Sequence, residues 1–135
     1  MKKLLITLIV SVVLLANDTQ LAIKIYNSIA HECTKKVEAK IYLHGDLDIL
    51  YNNKSINRTY DCADADFVIT STLLGLPSEC NSKIIFSNKY RLFKQSNRVV
   101  GAFFWQKGRP NIIFDRERLQ KSGIELSDNF QKYIE

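Results

Sequence analysis

The sequence predicts an α/β fold, a single domain whose mixed central sheet of about five strands is flanked by helices. Three observations carry that expectation. The chain has 135 residues, room for one domain and not for two. Its apolar residues alternate between helical and extended periodicity. Phe67-Val68-Ile69-Thr70 and Ile84-Ile85-Phe86 are short apolar runs of the kind found in strands buried on both faces. Hydrophobic residues at 46% and charged residues at 24% match an ordinary globular domain and exclude disorder, collagen and a multi-span membrane protein. Five Gly and two Pro argue against a Gly-rich nucleotide loop or a low-complexity linker.

The elements follow in order. Ala22, Ile25, Tyr26, Ile29 and Cys33 fall on one face of a helix that starts near Asp18 or Thr19. Val37, Ala39, Ile41 and Leu43 then alternate with Glu38, Lys40 and Tyr42, which predicts a half-buried strand ending at His44-Gly45-Asp46. A short helix covers Leu47 to Tyr51, and Asn52 to Asp61 reads as a loop. The Phe67 run is a strand, Pro77 and Ser78 mark a turn, and the Ile84 run is another strand. Ser87 or Asn88 is placed to cap a helix through Lys94. Val99 to Trp105 and Asn111 to Phe114 form a hairpin around Lys107-Gly108-Arg109-Pro110. Asp115 is an N-cap for Arg116 to Lys121, Gly123 ends that helix, and Ser127 opens a last helix carrying Phe130, Tyr133 and Ile134.

The N-terminus reads as an export signal. Met1-Lys2-Lys3 is a positive start, and Leu4 to Ala16 is a 13-residue apolar run interrupted only by Thr7 and Ser11. A membrane span needs about 20 apolar residues, so the run is too short to be one. Residues 1–16 are expected to be a signal peptide cut at Ala16-Asn17-Asp18. Leu14 stands where a small residue is usual, and an uncleaved N-terminal anchor is the alternative. No cysteine follows the run, so no lipid anchor is expected. The expected location is the periplasm, with residues 17–135 as the single domain. Loss of Lys2 and Lys3 lowers the formal charge from +5 to +3. With no nucleic acid or nucleotide pool there, a basic surface points to other partners.

Cys33, Cys62 and Cys80 are an odd set for an oxidising compartment. Cys62 and Cys80 flank a strand and its turn, so Cys62–Cys80 is the preferred disulfide and Cys33 is left over. Three buried thiols are the alternative.

No catalytic chemistry emerges from the motifs. His31 and Cys33 lie about 200° apart around a helix and cannot chelate one metal, and His44 sits at a turn as a solvated histidine. Gly-x-Ser-x-Gly, His-Glu-x-x-His, Cys-x-x-Cys and phosphate-loop patterns do not occur. Asp61, Asp64 and Asp66 form an acidic cluster, but the glycine turn and distal Glu of a calcium loop are missing. The expectation is no enzyme, no cofactor and no metal. Charge is uneven: Lys83 to Lys121 carries ten basic residues against two acidic, whereas Asn17 to Asp66 carries six against eight. A positive face of this kind steers an acidic partner, anionic headgroups or a small anion. Tyr90, Arg91, Phe93, Arg109 and Arg116 are the candidate partner-binding residues, since aromatics and Arg dominate interface hot spots. Trp105 and Phe103 are expected to pack in the core or hairpin.

One resemblance covers Ala65 to the end. Ala65-Asp66-Phe67-Val68-Ile69-Thr70-Ser71 looks like an extended "hvlfIs" segment, and a strand follows at Lys83 to Ser87. Val99-Val100-Gly101-Ala102-Phe103-Phe104 then leads through Lys107-Gly108-Arg109 into Asn111-Ile112-Ile113-Phe114. The chain closes with Leu119, Ser122-Gly123-Ile124-Glu125-Leu126-Ser127 and Phe130. This succession is similar to the YfiR-like family of periplasmic proteins, which end in a "GkvrFeiNl…aGlklsskLL" pattern. Asp115 stands here in place of the family's Asn, no Trp-Pro pair follows the first helix, and residues 17–135 are fewer than family members usually have. The resemblance implies a regulatory adaptor that binds the periplasmic domain of an inner-membrane diguanylate cyclase and represses it, lowering cyclic-di-GMP signalling. A redox-sensitive Cys62–Cys80 bond would be one way to bias release, and a second copy of the chain is a further partner open to it. The alternative is a small periplasmic solute-binding protein holding an anion between the basic hairpin and a helix N-terminus.

Overall fold

A computed structural model describes the backbone of residues 2–135 and the side chains of residues 18–135; the expected signal peptide, residues 1–16, lies outside the described side chains. Helix α1 (Lys2–Thr34) buries Ala22, Ile23, Tyr26, Ile29, Ala30 and Cys33. Ile25, expected on that face, is only partly buried, because the stripe broadens to take in Ile23 and Ala30. Lys35 ends the helix with φ 60°, its N–H donating to the His31 carbonyl at 2.7 Å.

That left-handed residue also corrects the first strand. The chain turns rather than extends after Lys35, Val37 is 90% exposed, and β1 spans only Ile41–His44. Helix α2 (Asp48–Tyr51) follows. The expected loop then contains a further strand, β2 (Arg58–Thr59), which pairs with Ile41 and Tyr42. Two residues carry no alternation, so no sequence pattern marks it. β3 (Phe67–Thr70) and β4 (Ile84–Ser87) are as expected. Helix α3 (Tyr90–Gln95) starts without a side-chain cap; the Ser87 hydroxyl instead accepts from the Lys89 N–H at 2.9 Å. β5 (Val99–Gln106) and β6 (Arg109–Phe114) form the hairpin, turning at Lys107 and Gly108 with φ 54° and 73°. This pair of positive values suits a two-residue hairpin turn. In α4 (Arg116–Lys121) Asp115 accepts from the Arg118 N–H at 2.9 Å. The expected last helix is a 3-10 segment, Asp128–Tyr133.

The six strands lie in the order β2-β1-β3-β4-β5-β6, parallel through β5 and antiparallel for β6. The sheet is mixed, with six strands against the five expected. One face carries Ile41, Leu43, Phe67, Ile69, Phe86, Phe103 and Phe114 against α1. The ring centroids of Phe67–Phe86 and Phe86–Phe114 are 5.9 and 5.7 Å apart, and Tyr26 meets Phe103 edge-on at 5.0 Å. Each fully buried Phe contributes about 2–3 kcal/mol. The other face carries Val68, Ile85, Val99 and Ala102 against Phe93 of α3 and the Cys62 and Cys80 side chains. Between β4 and β5 the register slips by one residue, Ile85 pairing with Val99 and Phe86 with Gly101. Gly101 is needed there: a Cβ would stand 2.5 Å from the Ile113 carbonyl oxygen and 2.6 Å from Cδ1 of Phe114.

Candidate functional site

In an open parallel sheet, ligands bind beyond the carboxyl ends of the strands, at the point where strand order reverses. Here that point lies between β1 and β3, since β2 sits on one side of β1 and β3 to β5 on the other. The protein fills this crevice itself. Ser71, after β3, donates its N–H to the His44 carbonyl at 3.1 Å, and its hydroxyl accepts from the Asp46 N–H at 2.6 Å. Gly45 (φ +87°) makes this possible, because a Cβ there would lie 2.1 Å from the Ser71 hydroxyl. His44 Nε2 pairs with the Leu74 carbonyl at 2.8 Å, and the Asn88 amide donates to the Asp46 carbonyl at 3.2 Å. The loops after β1, β3 and β4 are thereby tied together.

The open space is displaced towards β4 and β5. A groove of about 280 Å³ lies there, its walls including Tyr26, Ile49, Phe103 and Trp105 and its lip Asp46 and Lys89. Burial raises the Tyr26 hydroxyl pKa, so this wall stays neutral. Trp105, expected in the core or hairpin, stands on the hairpin strand half-exposed, edge-on to Phe103 at 5.9 Å. A second cleft, of about 430 Å³, opens at the amino ends of the strands between His31, Lys36, Lys54 and Asn57. Ala22 and Tyr26 line the first and Ala30 and His31 the second, so α1 runs antiparallel to the parallel strands.

The expected disulfide is present: Cys62 and Cys80 are bonded with Cα atoms 5.4 Å apart. Both residues are buried in the second core, which shields the bond from reductants and makes it a structural staple rather than an exposed switch. Cys33 is free and buried; burial pushes its thiol up to about 12, which leaves almost no thiolate for nucleophilic attack or metal binding.

The five candidate partner-binding residues do not form one patch. Tyr90 is half-exposed beside the groove, its ring 5.0 Å from Phe104, and Arg91 is exposed on the next turn position of α3. Phe93 is withdrawn from the surface, 2% exposed, because its ring packs in the second core under the Arg118 guanidinium at 4.8 Å. Arg109 and Arg116 sit at opposite ends of β6, whose length puts about 17 Å between residues 109 and 114. Several charges of the basic stretch serve the fold: Lys83 donates to the Ala63 carbonyl, Arg98 to Asn81, and Arg118 to the Phe93 and Val99 carbonyls. The hairpin-tip cavity is lined by Gln106, Lys107, Arg109 and Asn111, with no helix start in its lining.

Two members of the acidic cluster, Asp61 and Asp66, are taken up in structural roles. Asp61 accepts from the Ala63 N–H at 3.0 Å. Asp66 binds Lys36 Nζ and the Lys40 N–H at 2.7 and 2.9 Å, and these two bonds hold its carboxyl below the usual aspartate range. Among the described residues no group of three His, Cys, Asp or Glu side chains stands close enough to hold a metal. His31 is likewise engaged, its Nδ1 pairing with the Lys36 carbonyl at 3.0 Å.

Sequence reasoning missed Asp46 and Lys89 on the groove lip and Ile49 in its wall. Asp46 and Lys89 lie just after the carboxyl ends of β1 and β4, and Ile49 on the helix that follows β1, but that signal becomes useful only once strand order is known. Comparison with protein-family models, with curated proteins and with solved structures finds no match to this chain.

Proposed function

We propose that the chain is an exported regulatory adaptor of the YfiR-like kind, which acts by binding and not by catalysis. Its partner is the periplasmic domain of an inner-membrane diguanylate cyclase, held in its inactive arrangement while bound. The observation that supports the reading best is the aromatic groove at the carboxyl end of the sheet, with Tyr90 and Trp105 half-exposed beside Lys89 and Arg91. Trp, Tyr and Arg are the side chains that dominate protein–protein hot spots. A buried disulfide fits an oxidising compartment, and no helix among the described residues is long and apolar enough to cross a membrane.

The test is titration of the purified protein against the cyclase's periplasmic domain, with cyclic-di-GMP output measured in cells. Tyr90→Ala with Arg91→Glu is expected to weaken binding at least tenfold and to raise output, while the domain stays folded with a midpoint lowered only by the lost Tyr90–Phe104 contact, about 1 kcal/mol. Wild-type affinity in that variant, or no binding by the wild type, refutes the reading. The groove's volume of about 280 Å³, just under the range of small-ligand pockets, weighs against the second reading, a small-solute binder. A solute that raises the melting temperature without any protein partner would support it.

A further inference from the structure

We infer that the open edge of the sheet at β2 takes an extended acidic peptide, one of whose carboxylates seats on the Arg58 guanidinium. The two margins of the sheet differ. Beyond β6, Phe114 bridges to Ile134 and the Glu135 N–H donates to the Phe114 carbonyl at 2.8 Å, so the chain's own C-terminus occupies part of that edge. β2 ends the sheet on the other side, and among the described residues no strand lies beyond it. Ile41 donates its N–H to the Asn57 carbonyl at 2.9 Å. Successive residues of a strand turn their backbone groups to opposite sides, so Arg58, in register with Ile41, points its own N–H and C=O outward. The register also places its side chain. Ile41 faces α1, so Arg58 stands on that same face, at its outer margin.

The guanidinium is held there but not neutralised. Its carbon lies 4.7 Å from the centre of the Tyr51 ring and 4.4 Å from that of Tyr60. Nη1 donates to the Tyr51 carbonyl at 3.3 Å, and the Tyr51 hydroxyl donates to the Gly45 carbonyl, which fixes the first ring. These contacts restrain a side chain whose freedom would otherwise be lost on binding. Yet Arg58 has no ion-pair partner among the described residues, and its Nε is buried without an acceptor. Buried donors are nearly always satisfied, so this one marks a missing acceptor. An antiparallel strand added at the edge supplies it. The residue opposite Arg58 exchanges both backbone bonds with it and projects its side chain on the same face. A glutamate in that position lays its carboxylate against the guanidinium, whose planar fork matches it. Tyr60, 79% exposed, is free to swing aside as the carboxylate reaches Nε. Two residues of β2 offer few backbone bonds, so the charge selects the segment. The groove beside Trp105 is lined by none of Tyr51, Arg58, Thr59 and Tyr60, and the inference does not rest on the cyclase reading.

The full chain, isotopically labelled on nitrogen, is titrated with a blocked five-residue peptide of Thr and Val carrying a central Glu. Its Gln counterpart and free acetate are titrated in parallel at constant ionic strength. NMR follows the Nε–H and the backbone N–H of Arg58. The Glu peptide is expected to move both signals along one saturating curve. The Gln peptide is expected to bind about fivefold more weakly, the weight of a cross-strand pair of opposite charges. Arg58→Gln is expected to erase the difference between the peptides; should that variant unfold, the wild-type comparison of the two peptides decides by itself. Equal affinity for both peptides overturns the inference, because the guanidinium then takes no part. An acetate response as strong as that of the Glu peptide also overturns it, since the site then holds free carboxylates without strand addition. A backbone signal that no peptide moves overturns it too. Signals that shift with protein concentration alone overturn it in favour of a second copy paired edge to edge.

Discussion

Replacing both Cys62 and Cys80 by alanine tests what holds the second face of the sheet. The bond joins residues 18 apart, and closing a loop of that length removes chain entropy worth about 3 kcal/mol from the unfolded state. For a domain of roughly 120 residues, that loss lowers the melting temperature by about 12 °C. The two sulfurs also fill space among Ala65, Val68, Ile85 and Phe93, so the vacated volume adds to the loss rather than offsetting it. Urea unfolding followed by circular dichroism gives the free energy and its slope together. The double variant is expected to show a lower midpoint and a steeper slope, because its unfolded chain is freed from the cross-link and exposes more surface. Dithiothreitol should leave the native wild type oxidised until urea opens the core. Rapid reduction without denaturant, or a double variant as stable as the wild type, would refute the argument that the bond is buried and acts through the unfolded chain.

Three further outcomes are expected. Gly101→Ala forces a methyl against the Ile113 carbonyl and the Phe114 ring, both within 2.6 Å of its Cβ, and overpacking of this kind costs about 1–3 kcal/mol; chemical denaturation measures it. Asp66 has its carboxyl pKa lowered by Lys36 and by the Lys40 N–H, so its contribution is full above the ordinary Asp value near pH 4 and is lost as pH falls through the lowered one. Asp66→Asn should therefore be less stable than wild type at neutral pH, and the gap should close in acid; a gap constant with pH would exclude the ion pair as its cause. Cys33, buried with its thiol pushed up to about 12, should resist iodoacetamide in the native protein and label once in denaturant, as mass spectrometry would show.

The interior was legible from residue pattern where burial is continuous. Phe67 to Thr70 and Ile84 to Ser87 read as strands because both of their faces meet core, and a run with no polar face has few other places to go. The hairpin and the Asp115 cap were legible because turn and cap chemistry acts over two to four residues. Val37 was misplaced because alternation alone does not reveal that Lys35 adopts a left-handed conformation and swings the next residues off the sheet. β2 escaped because its two residues are recruited by pairing with Ile41 and Tyr42, a contact made across the chain. Phe93 looked like an interface anchor by residue type, and only the packing of α3 on β5 turned it inward.

Sequence by itself determined the α/β class and most element positions, because each depends on local periodicity; it made Cys62 and Cys80 only the preferred partners, and the structure decided that bond. Tertiary structure alone decided the strand order, the closing of the β1/β3 crevice by Ser71 against Gly45, the opening of the groove beside Trp105, and the place of Arg58 on an open edge. These features join residues up to 83 positions apart in the chain, as Ala22 and Trp105 are in the groove, and no local pattern encodes which distant loops a shared sheet will bring to the same edge.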